Sequence, residues 1–96
     1  LMTANNLMTI GAMHTLRDQG IRVPQEMALV GFDDFDWASF FSPRLTVISQ
    51  PLEQQGILAV QMLVRRIQDA SGAPEIRRLT PSLKIRDSCG CNAAPA

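Results

Sequence analysis

Residues 27–36 read MALVGFDDFD, an apolar run that ends abruptly in aspartates. The run lacks alternation between apolar and polar side chains, which is typical of a strand buried on both faces of a parallel sheet. Helices flank such a sheet, so the run predicts an α/β layer structure. Open parallel sheets bind ligands just beyond the carboxyl ends of their strands. Because Asp33, Asp34 and Asp36 follow the run, we expect a ligand site there.

The sequence on either side predicts helices and a further strand. Asn5 and Asn6 are capping residues ahead of a helix, and Gly20 suits its end. Pro43 stops a short second helix, and Pro51 suits the first turn of the longest one. The predicted elements are a helix over 7–19, a strand over 27–32, a short helix over 35–41, a strand over 45–49, a helix over 51–70 and a broken, half-exposed extended segment over 79–85.

Apolar residues fall on two arcs of the first predicted helix. One arc holds Leu7, Met8, Gly11, Ala12 and Leu16, and the other holds Ile10 and Met13. Trp37, Phe40 and Phe41 form an aromatic cluster that either stacks on a ligand ring or belongs to a core or an oligomer contact. Because soluble monomers avoid large exposed apolar patches, we expect either self-association or a missing domain to cover Ile10, Met13 and this aromatic cluster, and we favour a dimer interface. Its predicted residues are Ile10, Met13, Phe40 and Phe41.

Composition excludes several classes of protein. The 96 residues include 9 basic and 9 acidic side chains, so the formal net charge is zero. Nucleic-acid-binding surfaces show a basic excess, which this chain lacks. A hydrophobic content of 46% argues against disorder for most of the chain. We also expect no signal peptide and no membrane span, because no apolar run approaches the roughly 20 residues that a span requires.

Reactive residues are too few to indicate a catalytic or metal centre. Cys89 and Cys91 are the only cysteines, and we predict that both are thiols in a reducing compartment, which favours the cytoplasm. His14 is the sole histidine and has no nucleophile motif near it. A calcium loop counted from Asp34 lacks its required glycine and its final acidic residue. We therefore predict no enzyme activity, no cofactor and no bound metal.

The polar residues at the strand end can serve two purposes. A carboxylate there accepts hydrogen bonds either from ligand hydroxyl groups or from backbone N–H groups of the following helix. We favour Asp33 as the ligand-binding residue and Asp34 as the helix cap. Asn5 offers a donor and an acceptor that suit a sugar or nucleoside hydroxyl, although an Asn at a helix start is a cap by default.

The chain also contains an ordered set of short motifs. They are Ala4-Asn5 ahead of a helix, Gly20-Ile-Arg-Val-Pro24, Val30-Gly-Phe-Asp-Asp34, Pro43 with Leu45-Thr46, Gln50-Pro51 and the closing pattern Pro-x-Leu-x-x-Arg from Pro81. This set resembles the effector-binding region of the lactose/galactose repressor (LacI/GalR) family. The resemblance implies a periplasmic-binding-protein-like fold of two α/β subdomains with a ligand in the cleft between them. It implies that the C-terminal portion of that fold is present.

The resemblance further implies a division of the chain and a set of effector contacts. Residues 1–49 would belong to the C-terminal subdomain, 50–78 would cross to the N-terminal subdomain, 79–90 would return and 91–96 would form a tail. Asn5 and Asp33 would face hydroxyl groups of the effector, and Gln50 would lie at the crossover near the cleft. Ile10 and Phe41 match positions at the family's dimer interface. Two departures are Asn6, at a usually acidic position, and Leu52, where some members carry a ligand-contacting aromatic residue.

The resemblance implies a function in sensing. The effector would be a sugar or sugar-like metabolite, and the whole protein would be a LacI-type transcription regulator. Its expected partners are the effector, a second copy in a homodimer, and DNA through a region absent from this chain, with no membrane contact. The alternative is a periplasmic sugar-binding protein or a sensor module of a signalling protein with the same fold. The Cys89-Gly-Cys91 ending resembles a subset of members and of such sensor domains.

Overall fold

The chain forms two units in a computed structural model that describes residues 1–92. The first unit comprises Leu1–Ser49 and the described residues from Ser82 onward, and the second comprises Gln50–Pro81. The chain therefore returns to the first unit slightly later than residue 79, where the return is predicted. Residues 93–96 of the predicted tail lie outside the described residues. The assignment of the units to two subdomains of a larger domain stays a prediction.

A three-stranded sheet forms the framework of the first unit. The strands are β1 (Val30–Phe32), β2 (Thr46–Ser49) and β3 (Ser82–Lys84), in the order β1-β2-β3. β1 and β2 are parallel, as the apolar run predicts. β3 is exposed and pairs with β2 in the antiparallel direction, so the sheet is mixed. Met2 forms one more parallel bridge, to Val30 of β1.

Helix α1 spans Asn6–Asp18, one residue earlier at each end than the prediction. Asn5 precedes it with an extended backbone, and its side-chain oxygen accepts the N–H of Met8 at 2.9 Å. This bond satisfies one of the donors that the first turn of a helix leaves unpaired. Gly20 follows the helix with a φ of 68°, a left-handed conformation that glycine adopts without a steric penalty. Both predicted end signals are therefore confirmed.

The buried face of α1 draws one residue from each of the two apolar arcs, together with a polar residue. Thr9, Met13 and Leu16 are buried, whereas Leu7 and Met8 are 81% and 53% exposed. Thr9 tolerates burial because its hydroxyl group is hydrogen bonded. A satisfied polar residue thus occupies part of the inward face. The prediction that Met13 lies outward at a dimer interface is wrong, since its side chain is only 8% exposed and packs in the core.

The core of the first unit lies between α1 and the sheet. Its buried residues are Met13, Leu29, Ala38, Leu45 and Val47, with Ala12, Val23, Phe35 and Phe41 packed against them. The predicted short helix is a 3₁₀ helix at Asp36–Ser39, which contributes Ala38 to this core. Gly31 of β1 allows a close approach of α1. A Cβ atom at Gly31 would lie 3.0 Å from Oγ1 of Thr9, so no larger residue fits without displacement.

The second unit contains the longer helix, α2 (Leu52–Gln68), which is slightly shorter at both ends than predicted. Glu53 in its first turn and Arg65 and Arg66 in its last turn are placed favourably in the field of the helix dipole. None of its residues is buried. The exposed apolar side chains are Leu52, Ile57, Val60, Leu63, Val64 and Ile67. Among residues 1–92, no helix is both long enough and apolar enough to cross a membrane.

Candidate ligand-binding site

Asp33 directly follows β1 and has a left-handed backbone, with a φ of 78°. Its N–H donates to the carbonyl oxygen of Ile48 at 2.9 Å, which continues the pairing of β1 with β2. A non-glycine residue in this conformation is uncommon and costs about 1–3 kcal/mol, although aspartate tolerates it better than most. Such residues concentrate at functional sites. The half-buried Asp33 therefore lies at the carboxyl edge of β1, where the sequence predicts a ligand.

Asp34 forms a bidentate ion pair with Arg86. The Nη1 and Nη2 atoms of Arg86 each lie 3.0 Å from a carboxylate oxygen of Asp34. Nη1 also donates to the carbonyl oxygen of Leu45 at 2.8 Å, and both charged side chains are largely buried. The hydrogen bond from Arg86 lowers the pKa of Asp34, although partial burial opposes this. Arg86 thereby keeps Asp34, the residue next to Asp33, ionised and in one position.

The predicted capping function of Asp34 is wrong. The 3₁₀ helix begins at Asp36, and its capping residue is Phe35, which makes no side-chain capping bond. Asp34 does accept the N–H of Phe35 at 3.0 Å, but its main partner is Arg86, 52 positions further along the chain. Sequence reasoning missed this function of Arg86, which it noted only as the end of a motif. Nothing local in the sequence indicates so distant a pair.

Acidification is expected to remove the stabilisation that the Asp34–Arg86 pair provides. Because the pKa of folded Asp34 lies below its ordinary value of 3.8, the contribution is complete above that value and is lost as the pH falls through the lowered folded pKa. At neutral pH, we expect Asp34→Asn to lower the free energy of unfolding by about 1.5–3 kcal/mol. Urea unfolding of the intact protein should show this difference shrinking in acid. A difference independent of pH would contradict an ionised pair.

Asn5 lies at the same edge of the sheet as Asp33. The N–H of Thr3 donates to the carbonyl oxygen of Val30 at 3.0 Å, and the N–H of Val30 donates to that of Leu1 at 2.9 Å. The N-terminal residues therefore run parallel to β1, and Asn5 follows them as Asp33 follows β1. Because the cap uses the side-chain oxygen of Asn5, its Nδ2 group is the part suited to a ligand, as a hydrogen-bond donor.

Asn6 is a further candidate for the ligand-binding site, and the sequence alone did not identify it. Its side-chain oxygen is buried and has no hydrogen-bond partner among the residues that the structure describes. An unpaired buried acceptor costs about 1–3 kcal/mol, so each one requires an explanation. A ligand hydroxyl group that donates to this oxygen would remove that cost. The only sequence signal was the departure from an acidic residue at this position.

Gln50 is the first residue of the second unit, directly after β2. It is half-buried, and its Oε1 accepts a hydrogen bond from Nε2 of Gln55 at 3.2 Å. The amide group of Gln50 is thus oriented by the first turns of α2. Its predicted position near a cleft stays a prediction.

The other predicted interface residues differ in exposure. Phe40 is 83% exposed, and Trp37, which belongs to the same predicted aromatic cluster, is 68% exposed. Ile10 and Phe41 are half-buried. The ring of Phe41 packs edge-on against Phe35, with 6.0 Å between the ring centres, so it contributes to the core of the unit. Large exposed aromatic rings are typical of protein interfaces, which makes Phe40 and Trp37 the best candidates for a contact.

Among the described residues, 1–92, no group of three or more His, Cys, Asp or Glu side chains is placed to hold a metal ion. The residues at the carboxyl edge of the sheet are instead a carboxylate and two amides, from Asp33, Asn5 and Asn6. Such groups accept from and donate to neutral hydroxyl groups.

Parallel strands with polar residues at their carboxyl edge are typical of one class of protein domain, the α/β ligand-binding domain. Residues 1–89 match the family described as "Periplasmic binding protein-like domain". The chain belongs to this family, and it is homologous to transcription regulators of the LacI family.

Two curated relatives are named as repressors. The chain is 38% identical over 88 residues to the ribose operon repressor of Escherichia coli, covering 92% of this chain and 27% of the relative. It is 34% identical over 84 residues to the HTH-type transcriptional repressor PurR of Photobacterium profundum, covering 88% of this chain and 25% of that protein. The chain thus spans about a quarter of the length of these relatives.

Solved structures show the same fold with sugars bound. A transcriptional regulator CelR-cellobiose complex matches with a TM-score of 0.83 and 36% identity, covering 91% of this chain and 27% of that one. A LacI family transcriptional regulator from Enterococcus faecium with bound ribose matches with a TM-score of 0.80 and 28% identity, covering 91% of this chain and 33% of that one. The predicted periplasmic-binding-protein-like α/β fold is confirmed.

Proposed function

We propose that this chain is part of the effector-sensing region of a LacI-type, DNA-binding transcription regulator, and that the effector is a sugar or sugar-like metabolite. The observation that carries this proposal is the homology to regulators whose structures contain ribose or cellobiose. The relatives are repressors rather than enzymes, and we propose no catalytic activity.

The carboxyl edge of the sheet supports a sugar as the effector. A sugar presents several neutral hydroxyl groups, each of which is both a donor and an acceptor. Asp33 supplies acceptors, and Nδ2 of Asn5 supplies a donor from the same edge. The buried side-chain oxygen of Asn6 supplies one more acceptor. In this proposal Asn5 and Asp33 contact the effector directly, and Gln50 contributes from the crossover.

The proposal includes the partners and the location of the whole protein. Two copies would associate through a surface that includes Ile10, Phe40 and Phe41, because Phe40 exposes a large apolar ring. DNA would be bound by a part of the protein outside this chain. A regulator of transcription would act in the cytoplasm, a reducing compartment in which free thiols such as Cys89 and Cys91 are the usual state.

Titration of the intact gene product with sugars tests this proposal. We expect at least one member of a panel that contains ribose, cellobiose and other mono- and disaccharides to bind with measurable heat in calorimetry. The same sugar should raise the thermal unfolding temperature, because a ligand that binds the folded state stabilises it. A panel that produces neither heat nor a thermal shift would contradict a sugar effector.

A further inference from the structure

The two cysteines lie in a tight turn at the end of the described chain. Gly90, between them, has a φ of 75°, and its N–H donates to the carbonyl oxygen of Asp87 at 3.1 Å. The N–H of Cys91 donates to Sγ of Cys89 at 3.3 Å. Both cysteines are free thiols in the structure. Their Cα atoms, two positions apart, can meet the separation of about 4.4–6.8 Å that a disulfide requires.

Cys89 is anchored, whereas Cys91 is exposed. Ser88, directly before Cys89, is fully buried and hydrogen bonded to Leu29, which precedes β1, and to Thr46, the first residue of β2. Sγ of Cys89 also contacts the carbonyl oxygen of Arg86 at 3.7 Å. Cys89 itself is half-buried, and Cys91 is open to solvent. The pair therefore combines one fixed sulfur with one accessible sulfur.

Hydrogen bonding shifts the pKa values of the two thiols in opposite directions. Burial raises the pKa of Cys89, but hydrogen bonds from Cys91 and from Thr46 outweigh it, so the pKa of this thiol is lowered overall. A hydrogen bond from the Cys91 thiol to the Cys89 sulfur raises the pKa of Cys91, because that thiol is the donor. Cys89 is thus the better source of thiolate, which is the nucleophilic form of cysteine.

We propose that Cys89 and Cys91 form a thiol–disulfide exchange site that reacts with low-molecular-weight disulfides. The Cys89 thiolate attacks one sulfur of the small disulfide, forms a mixed disulfide and releases one small thiolate. Cys91 then loses its proton, and its sulfur attacks Sγ of Cys89, which releases the second small thiolate. The protein dithiol is oxidised by two electrons to an intrachain disulfide, and the small disulfide is reduced to two thiols.

Peptide mapping of the intact gene product tests this site, with oxidised glutathione as the small disulfide. Proteolysis after Arg86 releases both cysteines in one peptide. We expect an intrachain disulfide in that peptide of the wild-type protein, a stable mixed disulfide on Cys89 in Cys91→Ala, and loss of the fast reaction in Cys89→Ala. A wild-type mixed disulfide that persists on Cys91, or links between chains instead, would overturn the proposal.

The pH dependence of the reaction rate separates activation of the Cys89 thiol from mere exposure to the small disulfide, because exposure alone would not shift the pH profile. The rate at Cys89 should level off at lower pH in the folded protein than in a synthetic peptide of residues 87–92. Replacing Cys91 with alanine keeps the backbone N–H donor at position 91 but removes the thiol donor, and should move the profile toward that of the peptide. Ser-for-Cys versions of both variants control for packing. Identical profiles for the protein and the peptide would show that the turn does not activate Cys89.

Discussion

Replacing Asp33 with alanine in the intact protein is expected to weaken effector binding by about 1.5–3 kcal/mol, which corresponds to a roughly 10- to 150-fold increase in Kd. In the site we propose, the Asp33 carboxylate at the carboxyl edge of β1 would accept charge-assisted hydrogen bonds from effector hydroxyl groups. Isothermal titration with the sugar identified by the panel measures the change. The enthalpy of binding should become less favourable as well.

Two further variants separate the loss of the carboxylate from a change in the backbone. Alanine disfavours the left-handed conformation of Asp33, whereas asparagine tolerates it and has a similar shape. Asp33→Asn should therefore keep the fold and still lose affinity. Asp36→Ala is the matched control, since Asp36 is a carboxylate of the 3₁₀ helix, three positions beyond Asp33. An unchanged Kd in both Asp33 variants would remove Asp33 from the site.

Ser88→Ala is expected to be among the most destabilising single substitutions in the first unit. The hydroxyl group of Ser88 donates to the carbonyl oxygen of Leu29 at 2.6 Å and accepts the N–H of Thr46 at 2.8 Å. All three residues are essentially inaccessible to solvent. Alanine would leave a buried donor and a buried acceptor unpaired, which costs about 2–4 kcal/mol in total. Urea unfolding of the intact protein measures the change in free energy.

The matched control for Ser88 is Ser82→Ala. Ser82 is exposed on β3, so its substitution should change the free energy of unfolding by less than about 0.5 kcal/mol. If both serine variants are equally stable, the hydrogen bonds of the Ser88 hydroxyl group to Leu29 and Thr46 do not stabilise the fold as expected.

Local signals explain why much of the fold could be predicted. The cap at Asn5 and the left-handed Gly20 lie at the two ends of α1, so the local sequence is sufficient to predict where this helix begins and ends. The same holds for the apolar run that contains β1, whose lack of alternation indicates a parallel, covered strand. The position of Asp33 follows from that strand alone.

Long-range contacts explain what could not be predicted. The pairing of Asp34 with Arg86 joins residues from distant parts of the chain, and it replaces the local capping function expected of Asp34. The buried face of α1 includes Thr9, a polar residue whose burial requires hydrogen-bond partners that the periodicity of apolar residues does not reveal. The prediction for Met13 names the wrong surface for the same reason.

If this chain senses a sugar for a DNA-binding regulator, as we propose, sugar binding at one site must change the affinity for DNA at the other. A ligand shifts such an equilibrium only by its differential affinity for two states of the protein. The most direct test is the Kd of the intact protein for a DNA fragment that it selects in vitro, measured by fluorescence anisotropy with and without saturating sugar. We predict a change of roughly 5- to 150-fold, in one direction. The same DNA affinity in both conditions, with the sugar demonstrably bound, would contradict the account.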